Sequence, residues 1–390
     1  MNDYIHSSVF DVDDLLQDRE VSCGDKRVQI YSLSDLHADH KPCFEWLKRN
    51  CTQECGDPET FRVFVCAGDI SHDISKIRDT LLLLKSSFDE VCYVPGNHDL
   101  WMRGSERYRS NPMTKAPDSV AKLREVLECA LDCGVTTGPL TISPDKGDPV
   151  CVFPLQSWYH SGWDTEPEIS HPLYVRAEEL RRRSGATFDA SWMDFRQCSW
   201  PGVASVNPST KVEDLSLASQ FGALNRRFLP PHKMRSQGTI ISFSHFVPRQ
   251  ELMPEKKYLL EPLLAKVIGS DPLEKQIRQL QPDLHIFGHT HIPIELTLDG
   301  IRYLQWPLGN PREATAQCRL VHNTGLLLVY DSALIKNGCS ENGNGIPSPT
   351  VCSEAHWSRH YTRNKRDLNN MEELSPWLTT RLQQFISSLE

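Results

Sequence analysis

Three apolar runs in the first hundred residues each stop on a polar residue able to bind a metal, and this restricts the fold more than any other feature. VQIYSLS (28–34) ends at Asp35, FRVFVCAG (61–68) at Asp69 and VCYVPG (91–96) at Asn97. Each run is short and rich in β-branched and aromatic residues, as expected of a strand buried on both faces. Residues 42–50 and 74–88 between them read as helices. Alternating strands and helices imply parallel pairing in an α/β unit, since a parallel return needs a crossover of helical length. Ligands of such sheets bind beyond the carboxyl ends of the strands. The same punctuation recurs later, where TIISFS (239–244) stops at His245 and DLHIFG (283–288) at His289.

The remaining patterns predict a helix over 119–133, strands near 140–143 and 150–157, and a helix over 214–228. Helical stretches follow from about Glu255 and over 271–280. IELTLDGIRYLQW reads as a hairpin turning at Asp299-Gly300, and 325–332 as a further strand. The expected organisation is a flexible lead-in (1–25), a catalytic domain (26–335) and a tail (336–390). Within the domain, 26–99 and 238–335 form the core and 100–237 an inserted cap. The tail holds a turn-rich mobile loop over 336–350 and an amphipathic helix from Met371 onward.

Composition narrows the function. The net charge is -9 and the basic clusters (Arg181 to Arg183, Arg226 with Arg227, Arg359 to Arg366) are short, which argues against a nucleic-acid partner. No apolar run is long enough for a membrane-spanning helix. The start, MNDYIHSSVFDVDDLL, is acidic and lacks the pattern of a secretory signal. Thirteen cysteines without a C-x-x-C suit a reducing compartment, so a cytoplasmic location is expected.

Five motifs occur in order: D-L-H (35–37), G-D (68–69), G-N-H-D (96–99), S-H (244–245) and G-H-T-H (288–291). The first two are common by composition, whereas G-N-H-D falls in roughly one chain in a thousand. Because each follows a strand-like run, Asp35, His37, Asp69, Asn97, His98, His245, His289 and His291 are expected to converge at one sheet edge. Two divalent ions about 3.5–4 Å apart can clamp a phosphoryl displacement. They need a bridging carboxylate, neutral imidazoles and oxygen donors. Imidazole and carboxylate without thiolate suit manganese, iron, zinc or nickel.

This set resembles the calcineurin-like metallophosphoesterases, a superfamily whose two mixed sheets pack face to face with helices outside. The resemblance covers Asp35 to His291, about two-thirds of the chain. It implies that Asp35, His37 and His291 hold one metal, that Asp69 bridges, and that Asn97, His245 and His289 complete the second. It implies catalysis by His98, as acid or as a cation, with Asp99 orienting it, and attack by a metal-bridging hydroxide. Manganese is the ion expected to serve best in vitro, and a small phosphate ester the expected substrate. Protein serine/threonine phosphatases of this superfamily carry G-D-x-x-D-R-G and G-N-H-E; here Asp69 is followed by Ile70, Ser71, His72 and Asp73, and the later motif ends in Asp99. Purple acid phosphatases place tyrosine where this chain has His72. The pattern is closer to the phosphodiesterase and nucleotide-hydrolase branches. SHFVPRQELMPEKKYL, GSDPLE and LDGIRYLQWPL also resemble plant and algal members, which assigns no substrate. The alternatives are a phosphomonoesterase, including one acting on protein, and a non-catalytic scaffold.

Other residues carry weaker expectations. His285 reads as packed within a strand, and His40 and His72 as surface residues. His160 is a candidate substrate contact, Trp101 and Arg103 candidate lining of the entrance, and Arg249 a weaker candidate of the same kind.

Overall fold

The computed structural model describes residues 10–51, 57–102, 116–185, 187–203, 216–229, 238–259, 261–336, 344–348 and 368–389. The strands are β1 (Arg19–Gly24), β2 (Arg27–Leu33), β3 (Thr60–Cys66), β4 (Glu90–Tyr93), β5 (Leu140–Pro144), β6 (Val150–Pro154), β7 (Thr239–Phe243), β8 (Leu284–Phe287), β9 (Ile294–Leu298), β10 (Ile301–Gln305) and β11 (Leu327–Asp331). The helices are α1 (Lys41–Cys51), α2 (Ile74–Lys85), α3 (Ser119–Asp132), α4 (Pro172–Ser184), α5 (Phe188–Ser191), α6 (Met193–Gln197), α7 (Ser216–Asn225), α8 (Asp271–Leu280), α9 (Arg319–Thr324), α10 (Ser332–Lys336) and α11 (Pro376–Leu389).

Two mixed sheets form, in the orders β11-β2-β3-β4 and β1-β5-β6-β7-β8-β10-β9. β2, β3 and β4 pair in parallel, as the alternating pattern requires. β4, β7 and β8 are buried along their whole length, which explains why they read as unbroken apolar runs. Both sheets feed one core, with Ile30, Val63 and Val65 from one and Val152, Ile241, Ile286 and Leu304 from the other. Helices cover the outside. α2 buries Ile77, Leu81 and Leu84 at helical spacing, and each such side chain stabilises the fold by about 1.5–3 kcal/mol. Asp73 caps α2 by accepting from the Ser75 N–H at 2.9 Å. At the Asp299-Gly300 turn both residues are left-handed, with φ of 49° and 84°, as the hairpin's twist demands.

The loops beyond the strands interlock. Asp35 N donates to Gly68 O (3.1 Å), His37 N to Asp69 O (2.9 Å) and Gly288 N to His245 O (2.9 Å). Leu308 N donates to Ser34 O (2.9 Å) and Gly309 N to Asp35 O (3.0 Å), tying the two sheets together at one end.

Two expectations need correction. The lead-in assigned to 1–25 is not loose from residue 10 on. Phe10, Val12, Leu15 and Leu16 are buried, and Arg19–Gly24 forms an edge strand against β5. The cap assigned to 100–237 is also not a single insertion. β5 and β6 are interior strands of the larger sheet, and α3 lies beside α2. The excursion from the sheet begins after β6 and carries α4 to α7 before β7. Its α4 packs against α11 through Tyr174, Ala177, Leu378, Leu382 and Ile386. Most of the expected 336–350 loop and the Arg359 to Arg366 cluster lie outside the described residues. No helix among the described residues is long and apolar enough to cross a membrane.

Candidate metal centre

Five of the candidate ligands sit in left-handed backbone: Asp35 (φ 53°), His37 (43°), Asp69 (54°), His289 (78°) and His291 (55°). Such a conformation costs a non-glycine residue roughly 1–2 kcal/mol. Its concentration here reflects the interlocked loops, which dictate the backbone and turn these side chains inward. Glycines make room for the approach. A Cβ at Gly96 would stand 2.1 Å from Asp69 Oδ1, and one at Gly68 would stand 2.6 Å from His245 Nδ1.

Asp35, His37, Asp69 and His291 each offer one ligand atom, all within 4.8 Å of one another. His37 Nε2 and His291 Nε2 are 2.9 Å apart, and His291 Nε2 is 3.4 Å from Asp35 Oδ1. The Asp35 carboxylate, fully buried, accepts from Ser34 Oγ (2.5 Å) and from the His289 N–H (2.8 Å).

Beside them lies a second group. His245 Nε2 is 3.1 Å from Asn97 Oδ1 and 3.4 Å from Asp69 Oδ1, and His289 Nδ1 is 3.0 Å from Asn97 Oδ1. The outer nitrogens of both rings face acceptors only: His245 Nδ1 meets Ala67 O at 2.9 Å, and His289 Nε2 meets Val267 O at 3.0 Å. Each ring therefore carries its proton on the outer nitrogen and turns a lone pair inward. Asn97 Nδ2 donates to Asp194 Oδ1 (2.9 Å), so the amide oxygen also points inward. Two imidazole lone pairs and an amide oxygen thus face one another, an arrangement that a cation between them satisfies. The donors fit divalent metals on this ground.

Protonation follows the same crowding. Burial would lower His291, yet Asp35 on one side and Glu313 on the other raise it well above the ordinary imidazole value. Burial would raise Asp35, yet His291 brings it down. Burial, then the charges of Asp99 and Asp35, push Asp69 well up. Burial, then neighbouring imidazoles, hold His37 and His98 well below the usual value. Burial takes His289 down to about 3.

The family model of the calcineurin-like phosphoesterases matches residues 28–293. The chain belongs to that family. It is accordingly a metal-dependent hydrolase of phosphate esters. Among curated proteins, it is 28% identical over 289 residues to the acyl-carrier-protein phosphodiesterase PptH of Mycobacterium tuberculosis, covering 73% of this chain and 78% of PptH. The crystal structure of that phosphopantetheinyl hydrolase superposes with a TM-score of 0.57 at 20% identity, covering 78% of this chain and 96% of PptH. This likeness shows the fold.

As a calcineurin-like phosphoesterase, the chain brings together all eight sequence candidates of the centre. His98 lies at the margin with 29% of its side chain exposed. It stacks on Trp101 (ring centroids 3.7 Å apart) and meets His37 edge-on (4.9 Å). Asp99 does not have the orienting role expected of it. Its carboxylate accepts the backbone N–H groups of Asp69, Ile70, Ser71 and Gly96, at 2.8–3.0 Å. Burial raises it to about 6 against those hydrogen bonds. Asp99 thus fixes the loop that carries Asp69.

The weaker candidates divide. His285 is buried between Ser242 Oγ (2.8 Å) and Ser244 Oγ (3.1 Å), as a packed residue. His40 is exposed, whereas His72 is half-buried. His160 is buried, and its Nε2 accepts from the Asp271 N–H at the start of α8. Arg249 is engaged by Glu251 and Asp299, away from the centre. Arg103 lies outside the described residues.

Two functional residues escaped the sequence reading. Glu313 accepts from His291 Nδ1 at 2.7 Å. Asp194, from α6, accepts from Asn97 Nδ2 (2.9 Å), Trp101 Nε1 (2.6 Å) and Trp192 Nε1 (3.1 Å). Neither belongs to a motif, and each acts through another residue, so no spacing marks it.

Proposed function

We propose that this chain hydrolyses phosphodiesters, with two divalent ions held by Asp35, His37 and His291 on one side and Asn97, His245 and His289 on the other. Asp69, between the two groups, is shared. The observation that carries this reading is the inward lone pairs of His245 Nε2, His289 Nδ1 and Asn97 Oδ1, which form a second cluster beside the first. When bound, the ions supply positive charge to the phosphoryl oxygens and acidify water beside them.

The side chains do the rest. Glu313 holds His291 by its outer nitrogen, and the Ala67 and Val267 carbonyls do the same for His245 and His289. Asp99 keeps the Asp69 backbone in its left-handed turn. His98, neutral and stacked on Trp101, offers a hydrogen bond to the leaving oxygen from the open side. The absence of the G-D-x-x-D-R-G and G-N-H-E motifs of protein phosphatases favours diesters over phosphoproteins. PptH is a phosphodiesterase of acyl carrier protein, which makes a phosphopantetheinyl diester on a carrier protein the first natural substrate class to try.

The test is turnover of a bis-aryl phosphate, the matching aryl monoester and phosphopantetheinylated acyl carrier protein by the manganese-loaded chain. Faster hydrolysis of either diester is expected, and preference for the monoester overturns the reading. His98→Ala should lower turnover by about 10²–10⁴-fold while metal content stays the same. Full activity in that variant would remove His98 from the mechanism.

A further inference from the structure

Asn97 has an amide that can be turned either way. Its oxygen serves the second ligand group only if its nitrogen faces outward. The residue that meets that nitrogen is Asp194, 97 positions away on α6. Asp194 is 2% exposed. Its carboxylate is a pure acceptor and is met by donors alone: Asn97 Nδ2 and Trp101 Nε1 at Oδ1, Trp192 Nε1 at Oδ2, and the Tyr159 hydroxyl. Burying a carboxylate costs several kcal/mol unless its hydrogen bonds are made, so this arrangement has one stable polarity. With Asp194 in place, the Asn97 oxygen is directed at His245 Nε2 and His289 Nδ1.

We propose that Asp194 is the positioning residue of the second metal site, fixing the Asn97 amide so that its oxygen is available as a ligand. The inference rests on the two-ion reading above. Through it, the excursion between β6 and β7 takes part in building a site whose ligands all come from elsewhere. The same carboxylate sets Trp101, the ring on which His98 stacks, so the second ion and His98 share one support.

Asp194→Asn keeps the shape of the side chain but introduces an NH₂ group. Facing Asn97, that group turns the Asn97 oxygen away from the metal. Facing Trp192, it opposes one N–H with another but leaves the bond to Asn97 in place, so this variant is a weaker perturbation than Asp194→Ala. The experiment is calorimetric titration of the full metal-stripped chain with Mn²⁺, in wild type, Asp194→Asn, Asp194→Ala and Trp192→Phe, with thermal unfolding of each. Trp192→Phe removes one hydrogen bond from the same carboxylate without touching Asn97. The expected result is two ions in wild type and a second-ion Kd raised 10–100-fold in Asp194→Ala, with at most a partial rise in Asp194→Asn. The first-ion Kd stays within twofold throughout, and Trp192→Phe keeps the second ion. If Asp194→Ala does not fold, Asp194→Leu, which also lacks an acceptor for Asn97, carries the comparison. Two ions in wild type with undiminished second binding in a folded Asp194→Ala or Asp194→Leu chain overturns this inference alone, as does an equal loss in Trp192→Phe. A wild-type chain that takes one ion overturns the two-ion reading, and this inference with it.

Discussion

Replacing Gly96 with alanine adds a single methyl group at the point where the Asp69 and Asn97 loops touch. That carbon would stand 2.1 Å from Asp69 Oδ1, 2.7 Å from Asp69 N and 2.8 Å from His245 Cε1. Real Cβ atoms essentially never come closer than 3.0 Å, so Asp69 Oδ1 must retreat by about 0.9 Å. Metal ligands tolerate roughly 0.2 Å. Retreat is obstructed, because Asp99 pins the Asp69 backbone and Oδ1 itself accepts the His98 N–H at 2.9 Å. Gly96 is not among the left-handed glycines, so backbone preference plays no part and the effect is steric. Overpacking of this kind costs about 1–3 kcal/mol, or several degrees in Tm. On the proposal that Asp69 is shared, binding of both ions should weaken at least about tenfold, equivalent to about 1.4 kcal/mol. The assay is Mn²⁺ titration with thermal unfolding, and Gly222→Ala is the control. At Gly222, inside α7, the new Cβ meets nothing nearer than 3.3 Å. A Gly96→Ala chain with wild-type Tm and both ions bound at wild-type affinity would refute the close-approach reasoning.

Two more perturbations have defined outcomes. Glu313→Gln withdraws the charge that steadies His291, so Kd for metal should rise about 10–100-fold, read by the same titration; unchanged affinity would show Glu313 to be incidental. His285 is held at about 3 by burial, against 6.5 when unfolded. As pH falls, the unfolded chain takes up this proton first. The contribution is therefore intact above pH 6.5 and is lost progressively down to about 3, at up to about 1.4 kcal/mol per pH unit. His285→Gln should lose about 1–3 kcal/mol at neutral pH yet show a shallower acid decline in urea-unfolding midpoints. Parallel declines in the two chains would contradict the assignment.

The sheets were legible where strands are buried on both faces, because composition then leaves little choice. β1 was missed because REVSCG lies at an edge, mostly exposed, and shows no apolar run. β5 and β6 were recognised as strands but assigned to a cap, since nothing local says which sheet a short strand joins. The candidate ligands were legible as a group because they lie at or just beyond strand ends, in short motifs. Asp99 illustrates the limit: its place in G-N-H-D was plain, but its partners are backbone groups of a loop some 30 residues earlier. Asp194, between Met193 and Phe195, and Glu313 are single acids outside any motif, and only the folded chain gives them meaning.

The left-handed backbone at five ligands bears on how this enzyme can change by mutation. Glycine adopts that conformation without the Cβ penalty that aspartate and histidine carry, so exchanging one of these candidate ligands for glycine relieves strain while removing a donor from the site. Selection for heat resistance alone would therefore drift toward inactive chains. A stabilised variant of this enzyme is better sought at positions remote from these turns, and every gain in melting temperature needs a matching assay of turnover.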